Sequence, residues 1–281
     1  MPKILKTISE VKDFTSLYNL VNRRIGFVPT MGALHEGHLE LGKKAMKECD
    51  CVIYSIFVNP IQFGENEDLG RYPKDIQGDI EKLDSIGVDA IFLPDEKVMY
   101  AEDFSTYVDL GDITNILCGR SRPGHFRGVA TVVLKLFNIM GCDQAYFGKK
   151  DYQQFVILKK MVKELNVPVE IIGVDTVRED DGLAMSSRNS YLNEAERKAS
   201  PVLFRALSSV RQNLSKFETA DEIINYAQEI VNSEKLARIE YIEVRNADDL
   251  TEVSKIDSRK IVMLTAVRFG TTRLIDNLIL N

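Results

Sequence analysis

The chain has 281 residues, of which 44% are hydrophobic and 28% are charged, a composition typical of a soluble globular protein of one or two domains. A net charge of −6 without a long basic run argues against a nucleic-acid or membrane-surface partner. We expect neither a transmembrane helix nor a secretory signal, because no apolar run approaches about 18 residues and charged side chains appear near the start.

The four cysteines, Cys49, Cys51, Cys118 and Cys142, follow no C-x-x-C pattern and no regular spacing. Such cysteines are more typical of thiols in a reducing compartment than of disulfides. We therefore expect free, mostly buried thiols and a cytoplasmic protein.

Helix and strand patterns alternate along the first part of the chain. Ser9 is predicted to cap a first helix that reaches Asn22, and Gly87 is predicted to end a later helix in the left-handed conformation. The predicted strands cover 25–28, 51–58, 88–93, 144–147 and 169–174, and the other helices cover 38–48, 75–86, 129–140 and 152–165. A polar loop is expected over 59–74. The alternation predicts an α/β domain over residues 1–175 with a doubly wound parallel sheet.

The pattern changes from about Thr176. Two predicted helices, 194–213 and 220–233, precede three strand-like runs at 238–244, 260–267 and 272–279. The link between the last two runs is short, which favours antiparallel pairing. We therefore predict a smaller α+β domain over residues 176–281.

Two of the three histidines lie in the decapeptide PTMGALHEGH, residues 29–38, between a predicted strand and a predicted helix. Ligands of doubly wound sheets bind beyond the carboxyl ends of the strands. Gly32 and Gly37 allow close approach of the backbone, and His35 and His38 can donate hydrogen bonds to phosphate oxygens at the helix N-terminus. A zinc-binding pair and purely structural histidines are the alternatives, although HEGH does not match H-E-x-x-H.

The third histidine, His125, lies in the cationic segment RSRPGHFR at 120–127. Three arginines and an imidazole in an otherwise acidic protein favour contact with a triphosphate or a carboxylate. A solvated surface is the alternative.

Three other polar segments suit small ligands. In FGKKDYQQ, residues 147–154, a lysine can neutralise phosphate, and Asp151 either caps a helix or contacts the nucleotide. MSSRN at 185–189 suits a phosphate clamp, although a linker is also serine-rich. Asn59 and Gln62 are uncharged polar groups that suit a hydroxy acid, although Asn59-Pro60 is also a turn signal.

These segments, together with FVNPIQFG at 57–64, RPGHFRGVATVV at 122–133 and DGLAMSSRN at 181–189, resemble the motifs of the pantothenate synthetase (pantoate–β-alanine ligase) family in order and approximate spacing. The resemblance covers about residues 20–195. It departs at Lys149, where the family commonly has an acidic residue.

The resemblance implies an enzyme of the nucleotidyltransferase superfamily, with a Rossmann-like domain and a C-terminal lid. ATP and pantoate would give pantoyl adenylate and pyrophosphate with magnesium bound, and β-alanine would then release AMP and form pantothenate, a coenzyme A precursor. A homodimer is also implied. No covalent protein nucleophile is required, and the sequence shows no convincing Ser/His/Asp or Cys/His arrangement.

The resemblance also implies roles for individual residues. Catalytic roles would fall on His38, His35, Lys150 and Arg188. The nucleotide-binding residues would be Met31, His35, Gly37, His38, Gly148, Lys150, Asp151, Val177, Met185, Ser186, Ser187 and Arg188. The substrate-binding residues would be Pro29, Thr30, Met31, Asn59, Gln62, Arg122, His125 and Gln154. Asp79 would be a magnesium-associated carboxylate.

Two other functions remain open at this stage. A related nucleotidyltransferase acting on a phosphorylated substrate would use a similar histidine turn, but it would need a cationic pocket for the second phosphate. A non-catalytic nucleotide-binding module would not need both histidines together with the lysine and Ser-Ser-Arg segments.

Overall fold

The computed structural model describes residues 1–65 and 67–281 and divides into two compact units. The first unit comprises Met1–Lys149 and Ile157–Asp175, and the second comprises Lys150–Val156 and Thr176–Asn281. Asn66, in the loop expected at 59–74, lies outside the described residues.

A six-stranded parallel sheet forms the centre of the first unit. Its strands are β1 (Lys3–Leu5), β2 (Ile25–Thr30), β3 (Cys51–Ile56), β4 (Ala90–Phe92), β5 (Gln144–Gly148) and β6 (Glu170–Val174). They lie in the order β1-β4-β3-β2-β5-β6, so the direction of winding reverses between β2 and β5. In open parallel sheets, ligands bind at the carboxyl edge beside such a reversal. The expected Rossmann-like, doubly wound sheet is confirmed.

Helices connect these strands and cover the sheet. They are α1 (Ile8–Asn19), α2 (Glu36–Glu48), α3 (Ile76–Ile86), α4 (Glu96–Met99), α5 (Cys118–Ser121), α6 (His125–Met140) and α7 (Tyr152–Glu164). Every residue of β3 is buried, as expected for a central parallel strand with both faces covered.

The first helix begins earlier than predicted. Thr7, not Ser9, is its N-cap: the Thr7 hydroxyl accepts the Glu10 N–H at 3.2 Å, and the Glu10 carboxylate accepts the Thr7 N–H at 2.9 Å. This reciprocal pair satisfies two N–H groups, whereas a cap at Ser9 would satisfy fewer. Gly87 ends α3 in the left-handed conformation, as predicted (φ 84°).

The second unit contains a three-stranded antiparallel sheet, with β7 (Ala237–Asn246), β8 (Ile261–Phe269) and β9 (Thr272–Ile279) in that order. Three helices accompany it: α8 (Glu194–Ala199), α9 (Val202–Gln212) and α10 (Ala220–Asn232). Their apolar faces and those of the strands share one buried cluster, which includes Leu203, Ile223 and Phe269. The predicted smaller α+β region is confirmed, but the single helix predicted at 194–213 is two helices, because Pro201 lacks an N–H for a continuous helix.

Candidate active site

The turn after β2 is held by a buried carboxylate. Gly32 (φ 84°) and Ala33 (φ 51°) both adopt the left-handed conformation, which turns successive N–H groups toward one point. Asp79 of α3 accepts the Ala33 N–H at 2.8 Å and the Leu34 N–H at 2.7 Å, and Lys82 Nζ donates to the Leu34 carbonyl at 2.8 Å. Asp79 is only 1% exposed, so its carboxylate fixes the backbone that leads into the histidine segment.

The two histidines of this segment form the N-terminal cap of α2. His35 Nδ1 accepts the Gly37 N–H at 3.2 Å, and His38 Nδ1 accepts the His35 N–H at 3.3 Å. A neutral imidazole whose Nδ1 accepts carries its proton on Nε2. The half-buried rings lie 4.1 Å apart between centroids. The cap therefore gives both rings an Nε2–H donor at the N-terminus of a 13-residue helix, where anions are favoured.

A buried tyrosine of the neighbouring strand supports this helix start. The Tyr54 hydroxyl on β3 donates to the His38 carbonyl at 2.8 Å, and burial raises the pKa of Tyr54. The helix approaches so closely that a Cβ at Gly42 would lie 2.3 Å from the Tyr54 oxygen. The sequence analysis missed this contact, because nothing local to Tyr54 indicates that its hydroxyl meets a helix.

Pro29 and Thr30 are the last residues of β2, so they lie at the carboxyl edge of the sheet, where ligands of doubly wound sheets bind. The Thr30 hydroxyl donates to the Ser55 carbonyl at 2.8 Å and accepts the Gly32 N–H at 3.3 Å. The side chain that was predicted to bind substrate thus closes the turn in this structure.

The buried Asn59 and Gln62 and the half-buried Met31 form one chain of hydrogen bonds. Asn59 Nδ2 donates to Gln62 Oε1 at 3.0 Å and to the Gly128 carbonyl at 3.3 Å, and Gln62 Nε2 donates to Met31 Sδ at 2.9 Å. The Tyr100 hydroxyl, which the sequence analysis missed, donates to Asn59 Oδ1 at 2.7 Å. Three predicted substrate-binding residues therefore share one uncharged network.

Gly128 makes this network possible. A Cβ at its position would lie 2.4 Å from the Ile61 carbonyl oxygen and 2.6 Å from Gln62 Cα. The first turn of α6 therefore contacts the turn that carries Gln62. A glycine beside an apolar helical run was the sequence signal for such a close approach.

Arg122 and His125, also predicted to bind substrate, contact each other next to this network. Arg122 Nη1 donates to His125 Nε2 at 2.9 Å, and His125 Nδ1 donates to the Gln62 carbonyl at 2.8 Å. Glu67 binds the Arg122 guanidinium through both carboxylate oxygens, one at 2.7 Å from Nε. The cationic segment thus does not act as one cluster, since Arg122 has a carboxylate partner and Arg127 stacks 4.1 Å from the Tyr107 ring.

The lysine segment follows β5. Gly148 ends that strand, and Lys149 begins a single turn that leads into α7, with its amine 2.8 Å from the Asp175 carboxylate. The ion pair lies at the surface, with the Lys149 side chain 31% exposed and the Asp175 side chain 90% exposed.

Within the second unit, strand β9 contacts two of the predicted nucleotide-binding segments. Asn277 Nδ2 donates to the Lys150 carbonyl at 2.8 Å. Asp276 accepts two hydrogen bonds from Arg178, at 2.6 and 2.9 Å, and burial raises the pKa of Asp276 while Arg178 opposes the rise. Asp151 ends the single turn that precedes α7, and Gln154 lies in the first turn of α7.

Arg178 belongs to a short hairpin that brings two predicted residues together. The Met185 N–H donates to the Val177 carbonyl at 3.0 Å, and Arg178 pairs with Ala184. Ser186 caps the following turn, Ser187–Tyr191, by accepting the Arg188 N–H at 3.3 Å. The serine-rich segment is therefore an ordered, capped turn that follows the hairpin.

A family model described as pantoate–β-alanine ligase matches residues 3–279 of the chain. The chain belongs to the pantoate–β-alanine ligase family. It is 50% identical over 278 residues to the pantothenate synthetase of Acetivibrio thermocellus, a match that covers 99% of each chain. The resemblance found in the sequence, and with it the expectation of a ligase family of enzymes, is confirmed.

Solved structures of the family share the fold. The pantothenate synthetase of Thermus thermophilus is 42% identical, with a TM-score of 0.92 over 98% of both chains. The pantoate–β-alanine ligase of Francisella tularensis, solved in complex with β,γ-ATP and β-alanine, is 36% identical, with a TM-score of 0.79 over 99% of this chain and 98% of that one.

Asp79 does not fit the magnesium role that the family motifs suggest. Its two oxygens accept the backbone N–H groups of the β2–α2 turn, and Lys82 Nζ lies 3.8 Å away. Burial raises the pKa of its carboxyl group, and the two N–H donors oppose the rise. Among the described residues, no group of three or more His, Cys, Asp or Glu side chains is arranged to hold a metal ion.

Two simpler expectations can also be compared with the structure. All four cysteines are free thiols, and all except the half-buried Cys49 are buried, as predicted. No helix among the described residues is long and apolar enough to cross a membrane.

Proposed function

We propose that this chain condenses pantoate with β-alanine at the expense of ATP, giving pantothenate, AMP and pyrophosphate through a pantoyl adenylate. The observation that carries the proposal is the cap of α2, where His35 and His38 both have an Nε2–H donor. Beside it in the same unit lies the uncharged Asn59–Gln62–Met31 network. Family membership supports this reaction for the chain.

The first step joins the pantoate carboxylate to the α-phosphorus of ATP and releases pyrophosphate. A carboxylate is a poor electrophile, so the adenylate supplies the leaving group that amide formation needs. We assign to His35 and His38 the stabilisation of charge that grows on the departing pyrophosphate. Gln62, with Asn59 behind it, would hold pantoate through its amide group.

The second step forms the amide. The neutral amine of β-alanine attacks the acyl carbon, the bond to the phosphate oxygen breaks, AMP leaves, and the amine loses a proton. No covalent bond to the protein forms in either step. The proposal assigns further phosphate contacts to Lys150, Ser186, Ser187 and Arg188, and nucleotide contacts to Gly148, Asp151, Val177 and Met185. It leaves Gln154 a pantoate contact.

Several expectations stay predictions. These are the division of the chain at residues 175 and 176, the lid role of the second part, the homodimer, the cytoplasmic location and the need for magnesium. Because Asp79 does not fit a metal ligand, no step of the proposal passes through the ion.

A nucleotidyltransferase that acts on a phosphorylated substrate is less well supported. Its second phosphate would need a free cationic contact near Gln62, but the guanidinium of Arg122 is bound by the Glu67 carboxylate. The side chains that form hydrogen bonds with Gln62 and Asn59 are each other's amides, the Met31 thioether, the Tyr100 hydroxyl and the His125 imidazole.

The test measures AMP release by the purified chain with ATP, pantoate and β-alanine, and in control reactions from which either pantoate or β-alanine is omitted. Labelled pyrophosphate should exchange into ATP when pantoate is present and β-alanine is absent. Exchange that strictly required β-alanine would exclude the two-step route, and no AMP release with both substrates would exclude the proposed reaction.

A further inference from the structure

The orientation of the Gln62 amide is determined by a chain of hydrogen bonds that begins at a fixed acceptor. The Gly128 backbone carbonyl can only accept, so the Asn59 group that faces it at 3.3 Å is the NH2 group. The same NH2 group donates to Gln62 at 3.0 Å, and the Gln62 atom in that contact is therefore its oxygen. The Gln62 NH2 group is then turned toward Met31.

Tyr100 holds the other end of the Asn59 amide. Its hydroxyl donates to Asn59 Oδ1 at 2.7 Å, and the Tyr100 side chain is 9% exposed while Asn59 is 1% exposed. The amide of Asn59 is thus fixed at both ends, by a carbonyl at its nitrogen and by a hydroxyl at its oxygen. Buried polar groups that are held in this way have one preferred orientation.

The Gln62 NH2 group has a weak partner in this structure. Its nitrogen lies 2.9 Å from Met31 Sδ, and a thioether is a poor acceptor of hydrogen bonds. A hydroxyl or carboxylate oxygen of a bound acid would be a better one. An ammonium group offers only donors, so it would meet the NH2 group unfavourably.

We infer that Tyr100 is a positioning and specificity-determining residue for the acid substrate, because through Asn59 it holds Gln62 with its NH2 group turned toward the ligand. The inference rests on the proposed function for the identity of the acid. With the Gln62 NH2 group in this orientation, the site selects an acid that has an oxygen acceptor next to its carboxylate over an acid that has an ammonium group in that place. Tyr100 acts through two other residues and is not itself assigned a contact with substrate.

Tyr100→Phe is the substitution that tests the hydroxyl of Tyr100 alone. It removes one hydroxyl and leaves a ring for the contacts with Phe57, at 6.2 Å, and Phe104, at 4.8 Å between centroids. Tyr146→Phe is the control. That hydroxyl is also buried and hydrogen-bonded. Its partners, Gln144 at 2.8 Å, Glu48 at 3.0 Å and the Cys49 sulfur at 3.4 Å, have no assigned role in binding.

The kinetic test compares KM values for pantoate and ATP in the AMP-release assay. Loss of one neutral hydrogen bond predicts that Tyr100→Phe raises the KM for pantoate about 5- to 10-fold and changes the KM for ATP less than about twofold. Tyr146→Phe should change both values less than about twofold. Equal changes in both KM values for Tyr100→Phe, or the same response in the control, would overturn the inference.

A double-mutant comparison tests whether Tyr100 acts through Gln62. In a Gln62→Ala background, Tyr100→Phe should change the KM for pantoate less than about twofold, because the residue through which it acts is gone. If the effects of the two substitutions on the KM for pantoate multiply instead, Tyr100 does not act through Gln62.

A third measurement does not depend on the substrate. The side-chain NH2 resonances of Gln62 can be identified in a 15N-labelled full chain by their loss in Gln62→Ala. Tyr100→Phe should shift them and Tyr146→Phe should not. Unshifted resonances in Tyr100→Phe would refute the positioning role even if pantoate is the substrate. Shifted resonances in a chain that releases no AMP would refute only the proposed reaction.

Discussion

Replacing the two imidazoles of α2 with cap-forming amides separates their two roles. His35 is the N-cap and His38 lies three residues later, the positions at which a residue such as Asn and a residue such as Gln form the reciprocal cap. His35→Asn and His38→Gln therefore keep an acceptor for the N–H groups of Gly37 and His35. Both replace the imidazole and its Nε2–H with an amide, whose NH2 group lies on a side chain of different length and shape. The matching alanine variants remove the cap acceptor and the donor together.

The expected magnitudes differ for stability and for rate. Loss of an N-cap acceptor costs about 1 kcal/mol, so His35→Ala should lower the free energy of unfolding by about that amount, and His35→Asn by less than about half of it. A donor that stabilises charge as pyrophosphate departs is worth about 10²–10³ in rate. All four variants should therefore lose about 10²–10³ in adenylation rate, whether or not the cap is kept.

Two measurements on the same proteins check this expectation. Urea unfolding gives the change in stability, and single-turnover quench with saturating ATP and pantoate gives the adenylation rate. Because the amide variants keep the cap, a slow rate in them cannot be attributed to a frayed helix. If His35→Asn and His38→Gln react at the wild-type rate while the alanine variants do not, an imidazole Nε2–H is not required for adenylation, and the role assigned to it in charge stabilisation is wrong.

Three further predictions concern charged residues near the motifs. Lys149→Glu should change the single-turnover adenylation rate less than about threefold, because the Lys149 ion pair lies at the surface. Lys150→Ala should lower the same rate by about 10² or more. If Lys149→Glu lowers the rate more than Lys150→Ala does, the roles of the two lysines are swapped. Asp79→Asn places a donor NH2 group opposite one of the two backbone N–H groups that the carboxylate now accepts. This should slow adenylation at least about tenfold and leave the magnesium requirement unchanged. A raised magnesium requirement would mean that Asp79 does bind the ion. Limited proteolysis within residues 67–74 should slow when ATP and pantoate are both bound, if this part of the polar loop covers the ligands. Glu67→Gln should speed the cutting in the ligand-free chain, because it removes the ion pair between Glu67 and Arg122. Equal cutting with and without ligands would show that the segment does not cover them.

Periodicity predicted the elements that depend on local patterns of apolar side chains. The fully buried run of β3 and the glycine that ends α3 are visible in the sequence without knowledge of distant residues. The three-residue strand β1 was missed, because a strand of this length has no periodicity and is defined by its pairing with β4. The start of α1 was misplaced for a similar reason, since Thr7 and Ser9 are equally good caps until the position of Glu10 is considered.

Sequence motifs singled out residues that contact one another in the structure, but not the distant side chains that support them. Met31, Asn59 and Gln62 come together through hydrogen bonds. Tyr100 joins them from 41 positions away, and Asp79 reaches the Ala33 N–H across 46 positions. Contacts over such distances depend on the fold, which local sequence signals do not specify.

The three histidines show most clearly what the backbone adds to the sequence. All three lie within two residues of a glycine, where a loop leads into a helix, so local sequence signals do not distinguish them. At His35 and His38, Nδ1 faces a backbone N–H, so each ring keeps its proton on Nε2. At His125, Nδ1 faces the Gln62 carbonyl and must donate, so Nε2 is left as the acceptor that Arg122 binds. The same side chain therefore presents an Nε2–H donor at two positions and an Nε2 acceptor, bound by Arg122, at the third. This difference supports the proposal that assigns only His35 and His38 to the departing pyrophosphate.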